Sequence, residues 1–345
     1  MHTDDLSSTV RALPKIDLHR HLEGSLRLET LIAIATEYEI TLPSFNVDSL
    51  RPYVQIMPTD EKSSKAFLAK FAVLRQFYRS EKIIKRVTQE VIADAAADNI
   101  KYMELRFTPQ ALNNLMRCDY ATVVEWVCDA TREANAHYDI NVKLILSMNR
   151  HESVGIGELV LQAAIDYHGA GVVGVDLAGQ EEGFSGLPFR DLFEQAKSTG
   201  LGVTIHAGEW AGADNVREAV EHLCADRIGH GVRAVEDAYV VDLLRERGTT
   251  LEVCPKSNID SGVITSYHTH PLMPLYQRGV KTTINTDDPL ISDITLTDDI
   301  ANMMRYGAMT LENVKAHTMA AANAAFLPEP ERNALVAKFE ALLTA

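Results

Sequence analysis

Thirteen residues near the start of the chain, Pro14-Lys15-Ile16-Asp17-Leu18-His19-Arg20-His21-Leu22-Glu23-Gly24-Ser25-Leu26, carry its most informative pattern. The segment Ile16–His19 is predicted to be a short strand, with His19 and His21 at its end. Residues i and i+2 of an extended segment point to the same face, so the two imidazoles can converge on one metal ion. Gly24 then lets the chain turn away. A His-x-His pair alone is more often incidental than ligating, so the prediction depends on the rest of the chain.

The size and charge of the chain exclude some classes of function. It has 345 residues, of which 46% are hydrophobic and 23% charged, and its formal net charge is −15. This length suits one large α/β domain or two average ones, with enough apolar residues for a buried core. Nucleic acid binding needs a basic surface, which this composition does not predict. We therefore expect a small-molecule substrate and no nucleic-acid partner.

The cysteines and the N-terminus indicate the compartment. Four scattered cysteines form no Cys-x-x-Cys pair, which argues against a disulfide scaffold and favours a reducing compartment. The first five residues contain neither the basic nor the apolar segment of a secretion signal. No apolar run approaches the length of a membrane span. The sequence predicts a cytoplasmic protein without a membrane partner and leaves its oligomeric state open.

Short runs rich in β-branched residues alternate with longer amphipathic stretches along the chain. Eight short runs are nearly continuously apolar, as parallel strands buried on both faces are: Ile16–His19, Lys101–Phe107, Val142–Met148, Val172–Leu177, Gly202–His206, Arg227–Gly229, Thr249–Cys254 and Val280–Thr286. Helical patterns between them cover Tyr120–Tyr138, Glu158–His168, Arg190–Ser198, Asn215–Leu223 and Asp237–Arg247. Eight strand–helix units predict an α/β fold, a closed (β/α)₈ TIM barrel.

The chain is longer than the roughly 250 residues that such a barrel needs. Most of the excess follows the first strand, where about residues 26–98 are predicted to form a helical insertion broken at Pro43, Pro52 and Pro58. The rest is a helical C-terminal tail from Leu296 onwards. Because the chain has neither an internal repeat nor a flexible linker, residues 1–345 are predicted to form a single domain.

Polar residues concentrate at the C-terminal ends of the predicted strands, where barrels of this type carry their active sites. The groups are His19-Arg20-His21, Asp176-Leu177-Ala178-Gly179, His206-Ala207-Gly208-Glu209, Gly229-His230-Gly231 and Asn285-Thr286-Asp287-Asp288-Pro289. Each group alone has a plain structural explanation, such as a helix cap for Asp-Asp-Pro. Their joint placement favours a metal site.

Three imidazoles and one carboxylate suit a single Zn²⁺ with a coordination position left open for water. The predicted ligands are His19, His21, His206 and Asp287. A metal held in this way lowers the pKa of bound water and supplies hydroxide as a nucleophile. His230 is predicted to take the water proton as a base, and Glu209 to donate a proton to a ring nitrogen.

A second His-x-His pair, His268-Thr269-His270, has the same spacing as the first. It lies in a loop before Pro271, away from any predicted strand end. We therefore expect it to have a structural or surface role outside the metal site.

Together these motifs resemble those of the adenosine deaminase family, within the metal-dependent amidohydrolases. The resemblance runs from about Lys15 to Pro289 and rests on Leu18-His19-Arg20-His21-Leu22-Glu23-Gly24, Phe67-Leu68-Ala69-Lys70-Phe71, Asp176-Leu177-Ala178-Gly179, His206-Ala207-Gly208-Glu209, Arg227-Ile228-Gly229-His230-Gly231 and Asn285-Thr286-Asp287-Asp288-Pro289. It implies zinc-dependent deamination of adenosine to inosine and ammonia, by attack of hydroxide on purine C6. The zinc ligands that it implies are those predicted above.

The resemblance also implies individual roles at the purine ring. Glu209 matches the residue that protonates N1, and His230 matches the one that orients and deprotonates the water. Asp288 matches the partner of N7, and the backbone of Gly179 matches the donor to N3. These roles make Glu209, His230 and Asp288 the candidate catalytic residues.

The ribose end of the substrate is less certain from the sequence. Phe67 and Phe71 match aromatic positions in a helical lid, although this i,i+4 spacing is equally typical of core residues. His21 and Glu23 are further substrate-binding candidates, but Glu23 stands where many family members have an aspartate that meets the 5′-hydroxyl. Gln180 likewise occupies a common aspartate position. Adenine, 5′-deoxyadenosine, methylthioadenosine and aminodeoxyfutalosine therefore remain alternative substrates.

Two other classes of function remain open. A different metallohydrolase on the same barrel would often use two metals bridged by a carboxylated lysine after strand four, where this chain has Asp176-Leu177-Ala178-Gly179. A purine-binding protein without turnover would not need the proton-transfer residues Glu209 and His230. The absence of that lysine and the presence of Glu209 and His230 both favour the deaminase.

Overall fold

The protein is built around one sheet of eight parallel strands. The computed structural model describes residues 3–344, so the prediction about secretion, drawn from the first five residues, lies partly outside it. The strands follow one another in chain order around the sheet. They are β1 (Lys15–His21), β2 (Ile100–Phe107), β3 (Asn141–Asn149), β4 (Val172–Ala178), β5 (Gly202–Ala207), β6 (Arg227–His230), β7 (Thr250–Val253) and β8 (Lys281–Ile284).

The sheet closes between β1 and the segment after β8. The His21 N–H donates to the Asp287 carbonyl, and the Asp287 N–H donates to the His19 carbonyl, each at 2.8 Å. Strands β4 and β5 are buried along their whole length, as nearly continuous apolar runs require. The predicted (β/α)₈ barrel is confirmed.

The ends of the strands differ from the predictions in informative ways. Strand β1 continues to His21, which still pairs with Arg106 of β2, so the His-x-His pair lies within the strand. Strand β8 ends at Ile284, before the predicted Thr286. The next residue, Asn285, uses its side-chain Oδ1 to accept from the Leu18 N–H at 2.9 Å. Its backbone N–H still donates to the Val253 carbonyl of β7, at 2.9 Å.

Helices fill the segment between β1 and β2, as predicted. After α1 (Thr3–Ala12), which the sequence analysis missed, they are α2 (Leu28–Glu37), α3 (Val47–Val54), α4 (Ser64–Ala69), α5 (Phe71–Leu74) and α6 (Glu81–Ala97). Asn46, Ser63 and Ser80 cap α3, α4 and α6 by accepting a backbone N–H of the first turn. The predicted break at Pro52 is wrong: this residue lies inside α3, because a helix of two turns loses only one hydrogen bond to it.

The remaining connections between strands are also largely helical. They are α7 (Pro109–Asn113), α8 (Tyr120–His137), α9 (Val154–Asp166), α10 (Arg190–Ser198), α11 (Ala213–His222), α12 (Ala238–Arg247), α13 (Pro255–Asp260), α14 (Leu272–Gln277) and α15 (Pro289–Ser292). Helix α9 begins four residues before the predicted Glu158. Gly157 weakens the helical pattern there, but an added Cβ would lie 2.9 Å from Leu192, so the glycine permits close packing.

The C-terminal tail is helical, as predicted. It comprises α16 (Leu296–Tyr306), α17 (Leu311–Ala324) and α18 (Glu329–Thr344). Residues of α17 and α18 form an apolar cluster with Ile16 and Leu18 of β1, and Phe339 is fully buried in it. The tail therefore packs on the outside of the barrel. No helix within residues 3–344 has the length and apolar character needed to cross a membrane.

Candidate active site

The titratable residues predicted from the strand ends meet in one buried cluster. Nitrogen and oxygen atoms of His19, His206, His230 and Asp287 lie within 4.8 Å of one another. His21 joins them, because its Nε2 is 3.3 Å from both Asp287 Oδ1 and His206 Nε2. Four imidazoles therefore surround one carboxylate at the C-terminal end of the barrel.

Two residues of the cluster have an unusual backbone conformation. The angle φ is +61° at His230 and +63° at Asp287, in the left-handed region that non-glycine residues seldom adopt. Such conformations cost on the order of 1–3 kcal/mol and persist where surrounding contacts enforce them. The hydrogen bonds between Asp287 and β1 are contacts of this kind. Local strain of this type is common at functional sites.

Buried carboxylates orient two imidazoles of the cluster. His19 Nδ1 is 2.8 Å from Glu252, and His206 Nδ1 is 2.9 Å from Asp176. Each contact directs Nε2 of the ring towards the centre of the cluster. Carboxylate–histidine pairs of this kind orient metal-binding imidazoles.

The donor set fits a metal ion. His19 Nε2 is completely buried, faces Asp287 Oδ1 at 3.3 Å and makes no hydrogen bond. Burial lowers the pKa values of His21 and His206, so both rings are neutral and offer a lone pair. Burial opposes ionisation of Asp287, but the adjacent His19 ring and its other histidine neighbours keep its pKa well below the usual value. Imidazoles around a carboxylate match the ligand chemistry of Zn²⁺.

A buried ionic network supports the cluster from inside the barrel. Glu252 accepts from Arg106 Nη2 at 2.6 Å and from Arg227 Nε at 2.5 Å, and Arg227 also contacts Glu104. All four side chains are buried. The two guanidinium groups keep the pKa of Glu252 well below its usual value despite burial, so the partner of His19 stays ionised. The sequence analysis missed this network, because its members lie far apart in the chain.

A cavity of about 220 Å³ opens beside the cluster. The predicted site residues that line it are His21, Glu23, Phe67, Phe71, Gly179, His206, Glu209, His230, Asp287 and Asp288. His19 lies beneath it, fully buried. A cavity of about 1220 Å³ lies at the opposite end of the barrel, next to Gly202 and Thr250 at the starts of β5 and β7. Active sites of such barrels lie at the C-terminal ends of the strands, which favours the smaller cavity.

The pKa values of two acidic side chains in the cavity are raised. Burial raises the pKa of Glu209 well above its usual value, and the nearby charge of Asp287 adds to the effect. Burial and Asp287 act on Asp288 in the same way. Asp288 Oδ1 is buried without a hydrogen-bond partner, and Glu209 Oε2 is 3.5 Å from His230 Nε2. Both carboxyl groups can therefore donate a proton or a hydrogen bond to a ligand.

The loop that carries Glu209 is held by Glu181, which the sequence analysis did not single out. The Glu181 carboxylate is 2% exposed and accepts from the backbone N–H groups of Gly208, Glu209, Trp210 and Ala211 at 2.6–3.0 Å. Four consecutive amides around one carboxylate form an anion-binding concavity. This arrangement orders the turn after β5.

The predicted ribose-end residues lie together on one side of the cavity. Glu23 Oε1 accepts from the Thr108 N–H at 2.7 Å, whereas its Oε2 is buried without a partner. Burial raises the pKa of Glu23 to about 7. Phe67 on α4 is buried and Phe71 on α5 is half-buried, so both contribute to the core and to the cavity wall.

The second His-x-His pair lies outside the metal cluster, as predicted. His268 is exposed, in a turn that precedes α14. His270 is buried, and its Nδ1 accepts from the Leu272 N–H. The pair therefore contributes no ligand to the cluster.

Comparisons with known proteins agree with this geometry. Residues 14–342 match the family model described as adenosine deaminase. An adenosine deaminase from Clostridium botulinum (strain Kyoto / Type A2) is 37% identical over 336 residues, which cover 97% of this chain and 99% of that protein.

Solved structures of related enzymes have the same fold. Adenine deaminase from Arthrobacter aurescens superposes with a TM-score of 0.89 and 25% identity, covering 96% of this chain and 100% of that one. The Arabidopsis N6-mAMP deaminase gives a TM-score of 0.85 and 25% identity, covering 97% and 99%. The predicted family is thus confirmed, and with it a hydrolase of C–N bonds in cyclic amidines, an adenosine- or adenine-type deaminase. This chain belongs to the adenosine deaminase family.

Proposed function

We propose that the protein converts adenosine to inosine and ammonia in the cytoplasm, as a single-domain enzyme with one Zn²⁺. The observation that carries the proposal is the position of the imidazoles and Asp287 beside a cavity that also contains two buried carboxyl groups with raised pKa values. The proposed zinc ligands are His19, His21, His206 and Asp287. When bound, Zn²⁺ would lower the pKa of a water molecule and so supply the nucleophile for purine C6.

The residues around the cavity support the remaining steps. The raised pKa of Glu209 suits a general acid that protonates N1 as C6 is attacked. N7 of a purine is a hydrogen-bond acceptor, so the raised pKa of Asp288 suits a partner for it. The Gly179 N–H is proposed to donate to N3, and His230 to contact the attacking oxygen. Each of these roles depends on which atom of the residue carries a proton.

Two residues at the predicted ribose end of the cavity support adenosine as the substrate. Related compounds are alternatives that the assay below compares. Glu23 Oε2 has no protein partner and can meet a hydroxyl group such as the 5′-OH. Arg75 lines the cavity near Phe71, 5.8 Å from the ring centre, and forms no ion pair within residues 3–344. Arg75, a cation that lines the cavity, would favour a substrate with an anionic 5′ substituent.

The test is ammonia release by zinc-loaded protein. The panel comprises adenosine, adenine, 5′-deoxyadenosine, methylthioadenosine, aminodeoxyfutalosine and AMP. We expect the highest kcat/KM with adenosine; a clear preference for another compound would keep the chemistry and replace the substrate. Absence of ammonia release from every compound would refute the proposed function.

The role of Glu209 is tested by Glu209→Gln. This change keeps the size of the side chain but removes the acidic proton, so we expect normal zinc content and a loss of roughly 100-fold or more in kcat. Glu218→Gln is the matched control, because Glu218 binds Ser185 and the Gly186 N–H outside the cavity. A Glu209→Gln enzyme with nearly normal kcat would contradict the assignment.

A further inference from the structure

Three buried side chains form a hydrogen-bonded chain that ends at His230. The Leu272 N–H is 3.1 Å from Nδ1 of His270. His270 Nε2 is 3.4 Å from Asn258 Oδ1, and Asn258 Nδ2 is 3.1 Å from Nδ1 of His230. Each of these side chains is at most 4% exposed. The chain links a backbone amide of α14 to an imidazole in the candidate active site.

The direction of every bond follows from the first one. A backbone N–H can only donate, so His270 Nδ1 accepts and carries no proton. The ring therefore carries its proton on Nε2 and donates to Asn258 Oδ1. Burial agrees with a neutral ring, since it lowers the pKa of His270 to about 3.

The orientation of the Asn258 amide then determines the state of His230. With Oδ1 occupied by His270, the NH₂ group faces His230 and donates to its Nδ1. A neutral imidazole has one proton, so the His230 proton lies on Nε2. Nε2 lies 3.5 Å from Glu209 Oε2 and 3.9 Å from Asp287 Oδ2, and the Asp287 carboxylate can accept its proton in a hydrogen bond.

We propose that Asn258 and His270 are positioning residues that hold His230 in the tautomer protonated on Nε2, so that His230 acts as a hydrogen-bond donor and not as a base. The catalytic part of this inference rests on the proposed function. In that reaction the water proton passes to solvent as hydroxide forms, and the Nε2–H then donates to the hydroxide oxygen and orients it towards C6, while its own proton stays on His230. As the C6–O bond forms, the electron pair of the C6–N1 double bond moves to N1. Glu209 supplies the proton that N1 receives.

The same tautomer bears on which imidazoles can hold the metal, because geometry alone groups His230, and not His21, with His19, His206 and Asp287. Both His21 and His230 lie beside His206 and Asp287. An Nε2 that carries a proton has no lone pair for a metal, and Nε2 is the atom of His230 that faces the cluster. His21 is therefore the third imidazole ligand, with His19 and His206.

The test is ¹⁵N NMR of the histidine rings in the zinc-loaded full chain, at about pH 8.5, where an ordinary imidazole is neutral. The chain has 12 histidines, and the His230 signals are assigned by their loss in His230→Gln. We expect a protonated Nε2 and an unprotonated Nδ1 at His230. A wild-type protein with the proton on Nδ1 would overturn the proposal, whether or not the protein deaminates any purine.

Variants of Asn258 and His270 test the cause of this state. Asn258→Asp replaces a donor by an acceptor, so the His230 proton should move to Nδ1 and kcat should fall roughly 100-fold or more with little change in KM, as expected for a wrong tautomer. An unchanged tautomer would refute the positioning role.

A second pair of variants keeps the test valid if Asn258→Asp does not fold. His270→Gln retains an N–H donor and should retain the tautomer, whereas His270→Phe removes the donor and should populate both tautomers. Exposed His268, on the same turn, provides the control His268→Gln, which should leave both the tautomer and kcat unchanged. Identical spectra for His270→Gln and His270→Phe would overturn the relay. Absence of deamination in the wild type would refute only the proposed function.

Discussion

Gly24 offers a sharp test of the candidate active site, because its missing side chain makes room for Asp288. A Cβ at position 24 would lie 1.7 Å from Asp288 Oδ1 and 2.4 Å from Cγ. The Leu290 N–H donates to the Gly24 carbonyl at 2.8 Å, so the two segments cannot easily separate. Gly24→Ala therefore forces the Asp288 carboxyl group back by about 1.3 Å to reach a 3.0 Å contact.

A displacement of this size predicts a large effect on catalysis. Misplacing a catalytic group by about 1 Å costs roughly 100-fold in rate, so we expect Gly24→Ala to lose about two orders of magnitude in kcat/KM. Zinc content should remain normal, because the three atoms nearest to the added methyl group all belong to Asp288, which is not a proposed ligand. The assay is steady-state ammonia release together with metal analysis.

A second glycine provides the control for this substitution. Gly155 lies in α9, and a Cβ there would meet only Ser153 Oγ at 4.0 Å. Gly155→Ala should therefore retain wild-type kcat/KM. A zinc-loaded Gly24→Ala enzyme within two-fold of the wild-type kcat/KM would refute the placement of Asp288 at the substrate.

Three further predictions concern the metal and the stability of the fold. Removal of zinc by a chelator should abolish ammonia release and added Zn²⁺ should restore it; full activity in metal-free protein would contradict the mechanism. Glu252→Gln should weaken zinc affinity by roughly 10- to 100-fold in a chelator competition, because the partner of His19 loses its charge; unchanged affinity would exclude that role. Burial lowers the pKa of His317 from 6.5 to about 4, so the unfolded chain takes up this proton first and about 3 kcal/mol of stability is lost as pH falls from 6.5 towards 4. Denaturation of His317→Gln between pH 7 and about 4.5 should show a smaller loss than the wild type; equal losses would show that His317 does not titrate in this way.

Sequence patterns predicted features that depend on local periodicity. Nearly continuous apolar runs such as Val172–Leu177 identified the strands, because only segments buried on both faces have that composition. Boundaries were less accurate where a single residue decides them. Pro52 remained inside a short helix, and Asn285, just beyond β8, meets the Leu18 N–H with its side chain.

The role expected for Gly24 from its motif differs from the role that the structure shows. Gly24 was expected to let the chain turn, yet the structure shows that its lack of a side chain is needed for Asp288, which is 264 positions away in the chain. Contacts of this kind depend on how the barrel closes. A local pattern contains no information about them.

By itself, the sequence determined the strand–helix alternation, the family, and the residues that converge at the ends of the strands, since each of these is encoded in short motifs and in their order. Only the tertiary structure decided which partners those residues have: Glu252 for His19, Glu181 for the loop of Glu209, and Asn258 for His230. These partners come from other strands and loops, so they depend on the register of the closed sheet and not on any local period. Hydrogen-bond partners influence which atoms of the active-site groups carry protons. The residue types at the strand ends are therefore visible in the sequence, whereas the positions of their protons depend on the tertiary structure.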